Sequence, residues 1–242
     1  MSLAHHIRAL GKEDLPQRIV VDGRTYRRRE LFKHDSVAAV GFYECEGDRV
    51  VLKSYRRAPL FGLPTAWAGR LMAAHEAAVM QQLEGIERVP RLRARLDRTS
   101  IVRDYVPGEP LTDRSKVGPQ FFAEFFELLG KFHARGVAYV DLEKAANILL
   151  TPDGHPCLFD FQVAFFVPDH CLGRTRLVSA VRELLQEVDV YHARKHRRRL
   201  VGERLSEEEV AQSRRRPWLV AVANALDRPF KKLRRWLRGK GS

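Results

Sequence analysis

The sequence has few of the features that are typical of secreted proteins, of membrane-spanning proteins or of proteins stabilised by a bound metal. Its three cysteines are Cys45, Cys157 and Cys171, and an odd number without C-x-x-C spacing cannot be fully paired within one chain. Residues 1–10 lack an apolar stretch of signal-peptide length, and a run of about 18 apolar residues occurs nowhere. We therefore expect a reducing compartment, with neither secretion nor membrane spanning indicated.

Apolar and charged residues are present in the proportions of a globular chain. Hydrophobic residues make up 45% of the 242 residues and charged residues 30%, whereas disordered chains are poorer in apolar residues. This length suits one ordinary domain or two lobes with a sizeable core. The formal net charge is +13, and the densest basic runs lie from residue 194 onward. The charge predicts attraction to an anion such as a nucleotide, a nucleic acid, an anionic lipid or a phosphorylated sugar.

The pattern of apolar residues and turn residues predicts strands first and helices later. Alternation and Gly-containing turns predict an antiparallel meander between Arg18 and Tyr55, and helical periodicity predicts a helix over 70–84. Two short strands follow, and Val106–Pro110 breaks regular structure as a hinge would. Further helices are predicted at Gln120–Arg135 and beyond Pro168.

One stretch carries the residue types that phosphoryl transfer needs. Asp141 and Asn147 stand six residues apart on a polar loop that runs into a predicted strand. Asp160 follows a turn and a second strand, so a hairpin can bring Asn147 and Asp160 together at its open end. Carboxylate and amide oxygens suit Mg²⁺, and the reaction also needs a carboxylate that orients the attacking hydroxyl. We predict Asn147 and Asp160 as metal ligands and Asp141 as the catalytic base.

These residues resemble the catalytic loop and the D-F-G segment of the protein-kinase-like superfamily, and Leu129–Val137 resembles the helix end before that loop. Within the superfamily the sequence most resembles the small bacterial lipopolysaccharide-core kinases (heptose and Kdo kinases) and the RIO-like kinases. It leaves little space for an activation segment after Asp160 and has no A-P-E motif. The resemblance implies an α+β, two-lobed protein-kinase-like fold, with a small antiparallel sheet and one helix in the N-lobe and a minimal, mainly helical C-lobe.

The implied lobes can be placed along the chain. The resemblance itself covers roughly residues 35–165. We expect an N-lobe at 1–105, a hinge and minimal catalytic C-lobe at 106–200, and a basic helical C-terminal extension at 201–242.

The resemblance also implies ATP and Mg²⁺ as cofactors and assigns nucleotide-binding residues. Lys53 resembles the third-strand lysine that reaches the α/β-phosphates, and Glu76 resembles the helix carboxylate that pairs with it. The stretch containing Asp104 and Tyr105 resembles the hinge, whose backbone groups receive the adenine. Lys144 is a further candidate phosphate contact, with an ordinary solvated lysine as the alternative.

Three departures from the superfamily pattern lead to separate expectations. Ser36–Gly41 keeps one glycine of the phosphate-covering loop, which predicts low nucleotide affinity. Tyr139 and Val140 stand where His-Arg would precede the catalytic Asp, so we expect no control by activation-loop phosphorylation. Gln162 replaces the glycine of D-F-G, and we therefore expect a site held in one conformation.

Several function classes follow, and the sequence separates them unevenly. A sugar or glycolipid kinase and a RIO-like serine/threonine protein kinase remain open alternatives, because acceptor pockets lie in loops and in the C-terminal helices. A nucleotide-binding pseudokinase is less favoured because the base and metal residues are retained. Nucleic-acid binding is disfavoured, because no aromatic RNA-binding motif, finger spacing or helix-turn-helix is evident. We expect a cytoplasmic protein.

The C-terminal segment has the pattern of an amphipathic basic helix. Leu226, Phe230, Leu233 and Leu237 fall on one helical face, and the residues from 228 to 242 include seven basic and no acidic ones. A helix at 228–240 that lies on an anionic membrane surface fits this pattern, which predicts peripheral attachment at the inner face of the membrane. An ordinary helix packed on the C-lobe with a solvated basic face fits equally well.

Overall fold

A computed structural model describes residues 8–112, 117–118, 120–168, 175–202, 205–215 and 217–218. The strands are β1 (Arg18–Val21), β2 (Arg24–His34), β3 (Ala38–Cys45), β4 (Asp48–Tyr55), β5 (Leu92–Arg95), β6 (Ser100–Asp104), β7 (Glu109–Pro110), β8 (Ile148–Leu150) and β9 (Pro156–Leu158). The helices are α1 (Ala66–Gln82), α2 (Phe121–Ala134), α3 (Arg176–Val201) and α4 (Glu207–Arg214), with a 3-10 turn at Ala145–Asn147. The chain divides into two compact units, the first built from Met1–Pro110 and Asn147–Ala164 and the second from Leu111–Ala146 and Phe165–Ser242.

A six-stranded antiparallel sheet dominates the first unit. Its strand order is β1-β2-β3-β4-β6-β5, so the predicted meander is present. The turns Asp22-Gly23 and Glu46-Gly47 have both residues at positive φ, the conformation that matches the twist of a hairpin. β2 continues to His34, and its charged, mostly exposed residues show no alternation that would have predicted its length.

The two faces of this sheet carry different sets of side chains. One face contributes to an apolar core whose buried members are Leu10, Leu15, Ile19, Val21, Tyr26, Ala39, Tyr43, Val50, Leu52 and Val102. The cross-strand pairs Val40–Lys53 and Phe42–Val51 belong to the other face, because side chains alternate along a strand. We call this second face, which carries Lys53, the site face.

Helix α1 begins about one turn earlier than predicted, at Ala66 rather than residue 70. Gly69 suggested a loop, but it lies inside the helix. A Cβ added at Gly69 would overlap the backbone carbonyl oxygen of Arg56, so glycine allows the helix to approach the end of β4 closely. The helix packs against β4, β5 and β6.

A three-stranded sheet in the order β7-β8-β9 completes the first unit. Ile148 pairs with Leu158 and Leu150 pairs with Pro156, which forms the hairpin that the sequence predicted. Because Asn147 precedes β8 and Asp160 follows β9, both residues lie at the open end of this hairpin.

The described part of the second unit is helical. α2 agrees with the predicted helix at Gln120–Arg135, and α3 packs against both α2 and α4. Ser206 begins α4 with a capping box, in which its side chain accepts from the Glu209 N–H and the Glu209 side chain accepts from the Ser206 N–H. The predicted helix at 228–240 lies outside the described residues. Among the helices that are described, none has the length and apolar character needed to cross a bilayer.

Candidate active site

A buried cluster of one cation and two carboxylates lies on the site face of the first unit. The Lys53 Nζ donates to Glu76, with distances of 3.1 Å to Oε1 and 2.9 Å to Oε2. The same Nζ lies 2.9 Å from Asp160 Oδ1. Lys53 is 4% exposed and Glu76 is fully buried. The structure therefore brings together three residues that are 23 and 107 positions apart along the chain.

The Glu76 carboxylate is held by more groups than the lysine alone. Oε2 accepts a short hydrogen bond from the Tyr55 hydroxyl, and Oε1 accepts from the Phe161 N–H at 3.4 Å. Burial, followed by the nearby negative charge of Glu76, raises the pKa of Tyr55 well above its ordinary value, so this hydroxyl remains a donor. Since Lys53 and Tyr55 alternate with Ser54 on β4, they share the site face.

Asp160 is ionised and partly accessible. Burial alone would raise the pKa of its carboxyl, but the charge and hydrogen bond of Lys53, together with Lys33 and the Gln162 N–H, lower it below its ordinary value. The Asp160 side chain is 18% exposed. Its Oδ1 accepts from Lys53 and from the Gln162 N–H, which leaves Oδ2 as an oxygen donor for a metal ion.

Helix α1 also fixes the segment that follows Asp160. Besides the contact of Glu76 with the Phe161 N–H, the His75 Nε2 lies 2.7 Å from the Ala164 carbonyl oxygen. These contacts join one turn of the helix to both ends of the Phe161–Ala164 stretch. Whether the D-F-Q segment is held in one conformation stays a prediction.

Asn147 closes the 3-10 turn immediately before β8 and is 9% exposed. The structure thus places both predicted metal ligands at one end of the β8–β9 hairpin. Within the described residues, no three or more His, Cys, Asp or Glu side chains converge on a position that could hold a metal ion. Mg²⁺ commonly binds through one or two carboxylates and completes its shell with water and phosphate oxygens, so such a site does not require a cluster of three acidic or His side chains.

Three aromatic rings form a cluster on the site face. The sequence singled out only one of them, Tyr105. The ring centroids of Phe42 and Tyr105 are 4.7 Å apart, and those of Phe32 and Phe42 are 6.2 Å apart. Phe32 is 46% exposed. Tyr105 was predicted as a hinge residue, whereas Phe32 and Phe42 carry no motif, and only their strand register relative to Lys53 could have indicated them.

The hinge residues Asp104 and Tyr105 use their backbone N–H groups inside the sheet. The Asp104 N–H donates to the Arg91 carbonyl and the Tyr105 N–H donates to the Arg49 carbonyl. The Asp104 carboxylate accepts from Arg91 Nε at 2.9 Å. These N–H groups are already hydrogen-bonded, so the ring of Tyr105 is the part of the predicted hinge that remains directed at the site face.

In the turn between β2 and β3, backbone N–H groups donate to an acidic side chain. The Asp35 Oδ1 accepts from the N–H groups of Val37 and Ala38, at 2.8 Å and 2.9 Å. Burial would raise the pKa of Asp35, but these backbone donors, together with Lys33, lower it. Backbone N–H groups of such a turn would otherwise be available to phosphate oxygens. The low nucleotide affinity expected for this turn stays a prediction.

In the second unit, Asp141 lies on a loop and pairs with Lys144. The Lys144 Nζ lies 2.8 Å from Asp141 Oδ2, and the Asp141 side chain is 17% exposed whereas that of Lys144 is 65% exposed. The structure therefore places Lys144 beside the predicted base and in contact with solvent.

The backbone on both sides of Asp141 is fixed by α3, which the sequence analysis did not anticipate. Asp189 is fully buried and accepts from the N–H groups of Tyr139 and Val140, each at 2.7 Å. His196, two turns later, lies with its Nε2 2.7 Å from the Leu142 carbonyl oxygen. Val140 has a φ of 70°, which is strained for a β-branched residue and persists only where the surroundings hold it.

Comparison with known proteins identifies the fold. No protein-family model and no curated protein matches the sequence. Among solved structures, the chain is similar to the Rio2 kinase in its ADP/Mg²⁺-phosphoaspartate complex from Chaetomium thermophilum, with 20% sequence identity and a TM-score of 0.54. The match covers 74% of this chain and 57% of that chain, so the chain corresponds to little more than half of that kinase. The likeness, together with the antiparallel sheet and its single helix, shows that the chain has a protein-kinase-like fold.

Proposed function

We propose that the chain is an ATP- and Mg²⁺-dependent phosphotransferase with an alcohol acceptor. The observation that carries this proposal is the buried cluster of Lys53, Glu76 and Asp160. Lys53, held by Glu76, places its ammonium beside the Asp160 carboxylate, which is 18% exposed. An oriented cation for phosphate oxygens next to an oxygen ligand for Mg²⁺ is what phosphoryl transfer from ATP requires.

Each residue has a proposed task in binding the nucleotide. Lys53, oriented by Glu76, would contact phosphate oxygens. Asp160, through its Oδ2, and Asn147 would hold Mg²⁺, which neutralises charge on the phosphates when it is bound. The aromatic cluster of Phe42 and Tyr105 offers a surface on which a base can stack, because partly exposed rings interact favourably with flat heteroaromatic groups.

Asp141 is proposed to accept the proton of the acceptor hydroxyl. A positioned carboxylate contributes to catalysis only if its backbone is held in place, and Asp189 and His196 supply that restraint. Lys144, which pairs with the Asp141 carboxylate, is 65% exposed and is also accessible to a phosphate group.

The acceptor we propose first is a sugar of the lipopolysaccharide core, which follows from the resemblance to heptose and Kdo kinases. Only 15 residues separate Asp160 from the start of α3 at Arg176, which leaves little chain for an activation segment that would dock a protein substrate. A RIO-like serine/threonine protein kinase is the second candidate, and the similarity to the Rio2 kinase favours it.

Incubation of the purified full-length chain with labelled ATP and Mg²⁺ tests these proposals. One sample contains envelope glycolipid, one contains a protein extract and one contains no acceptor, and each is repeated with Asp141→Asn. Label transfer to glycolipid by the parent but not by the variant supports the sugar kinase, and transfer to protein supports the RIO-like alternative. ATP binding without transfer in any sample would indicate a pseudokinase.

A further inference from the structure

An apolar projection, formed by exposed side chains, lies on the connection between β4 and α1 and on the first turns of α1. It comprises the side chains of Phe61 and Leu63 on the connecting loop and of Trp67 and Leu71 on the first turns of α1. Their exposed fractions are 79%, 68%, 62% and 62%. Taking about 150–250 Å² for an aromatic side chain and somewhat less for leucine, the exposed apolar area is roughly 500 Å². A patch of this size on a monomer is often functional.

The tip of the projection is a defined hairpin turn. Leu60 and Leu63 exchange both backbone hydrogen bonds, at 3.0 Å and 2.9 Å. Phe61 and Gly62 between them have φ values of 50° and 82°. A bulky aromatic residue at positive φ is uncommon and strained. The chain thus keeps Phe61 at the outermost position of a turn where asparagine or glycine would be easier to accommodate.

The base of the projection is hydrogen-bonded to the segment that precedes β1. The Ala9 carbonyl accepts from the N–H groups of Arg57 and Ala58, at 3.0 Å each. The Thr65 hydroxyl and the Arg56 guanidinium both donate to the Ala58 carbonyl. These bonds hold the loop ends in place, so the exposed side chains are displayed by an ordered support.

The charges around the projection are mostly positive. From Arg49 to His75 the sequence contains no acidic residue. Five cations lie on the segments at the base and on the first turns of α1, namely Arg8, Lys12, Arg56, Arg57 and Arg70, against Glu13, Asp14 and Asp97. Arg56 is buried and Arg57 pairs with Glu13 and Asp97, whereas Lys12 and Arg70 are exposed. Exposed apolar side chains next to such cations complement an anionic bilayer surface, where aromatic rings enter the interfacial region and Arg or Lys contacts the headgroups.

We propose that this projection is a membrane-contact site, in which Phe61, Leu63, Trp67 and Leu71 insert into an anionic lipid surface with Arg70 and Lys12 at the headgroups. The site goes beyond the proposed phosphotransferase activity and does not depend on it. It would bring the chain to a surface that carries lipid-linked acceptors.

Tryptophan fluorescence of the full-length chain tests the insertion directly. The three tryptophans are Trp67, Trp218 and Trp236, so Trp218→Phe with Trp236→Phe leaves Trp67 as the reporter. Mixed phosphatidylcholine–phosphatidylglycerol vesicles with brominated acyl chains should quench Trp67 and shift its emission to the blue. Pure phosphatidylcholine vesicles should have a much smaller effect. An unquenched Trp67 would overturn the proposal, including in the case where the chain binds vesicles through another segment.

Vesicle co-sedimentation provides the second measurement. Phe61→Gln should lower the partition coefficient into the anionic vesicles by about tenfold, because an aromatic side chain no longer leaves water. Arg70→Gln should weaken binding to anionic but not neutral vesicles. Leu177→Gln serves as the matched control, since Leu177 on α3 is 75% exposed and should not matter. If Phe61→Gln binds vesicles as the parent does, or instead abolishes self-association or capture of a protein partner, the membrane proposal is wrong.

Discussion

Removing the cation of the ion cluster on the site face should destabilise the protein more than removing one of its two anions. Lys53→Met removes the ammonium that both carboxylates contact and leaves Glu76, which is fully buried, with Tyr55 and a weak backbone donor. Removing one partner of a buried pair costs about 3–5 kcal/mol. Glu76→Gln leaves Lys53 paired with Asp160 at 2.9 Å, so we expect a loss of about 1–3 kcal/mol.

The double variant should be more stable than the sum of the single losses predicts. Once Lys53 is absent, Glu76→Gln removes an uncompensated charge, and the two free-energy changes should differ from additivity by about 1–3 kcal/mol. Urea denaturation followed by circular dichroism measures all four proteins. Lys131→Met is the control, because its pair with Glu127 is exposed and should contribute less than about 1 kcal/mol. Additive losses, within about 0.5 kcal/mol, would show that these groups do not act as a cluster.

Three further predictions concern the restraints around the proposed base and the close approach of α1. Asp189→Ala leaves two N–H groups of the loop before Asp141 without their acceptor and should lower the free energy of unfolding by about 2–4 kcal/mol; thermal denaturation at the parent Tm would contradict the anchoring role. Gly69→Ala should destabilise the chain because the methyl group meets a backbone carbonyl, whereas Gly130→Ala, with open space in α2, should stabilise it by about 0.5–1 kcal/mol; equal Tm shifts would refute the packing argument. Asp141→Asn should keep ATP affinity while turnover falls by about 10²- to 10⁴-fold, and a normal rate would show that another group accepts the proton.

Most of the fold could be predicted from local patterns in the sequence. The meander, the β8–β9 hairpin and the helices at 121–134 and 176–201 were predicted because their periodicity and turn residues agree with the structure they adopt. The start of α1 was wrong by about one turn. Gly69 has the sequence signature of a loop, and the reason for its presence is a contact with Arg56 that only the folded chain reveals.

The site was predictable where residues belong to ordered motifs, and less so where they act across elements. The resemblance singled out Lys53, Glu76 and Asp160, and the structure brings these three together; their roles remain predictions. Tyr55 and Asp189 belong to no motif. Each acts through hydrogen bonds to a segment that is distant in the sequence, and a local pattern does not show such bonds. An acidic residue flanked by the apolar Val188 and Val190, in a stretch of buried residues of α3, is the signal that could have suggested Asp189.

Nucleotide titration of the parent and Asp160→Asn, with and without Mg²⁺, tests the central claim most directly, because it needs no knowledge of the acceptor. The account predicts that the parent binds ATP more tightly when Mg²⁺ is present. It also predicts that Asp160→Asn loses most of this Mg²⁺-dependent gain, since a neutral amide holds a hard cation less well than a carboxylate does. Equal Mg²⁺-dependent affinities in the two proteins, or no ATP binding by the parent, would contradict the assignment of a metal-dependent nucleotide site.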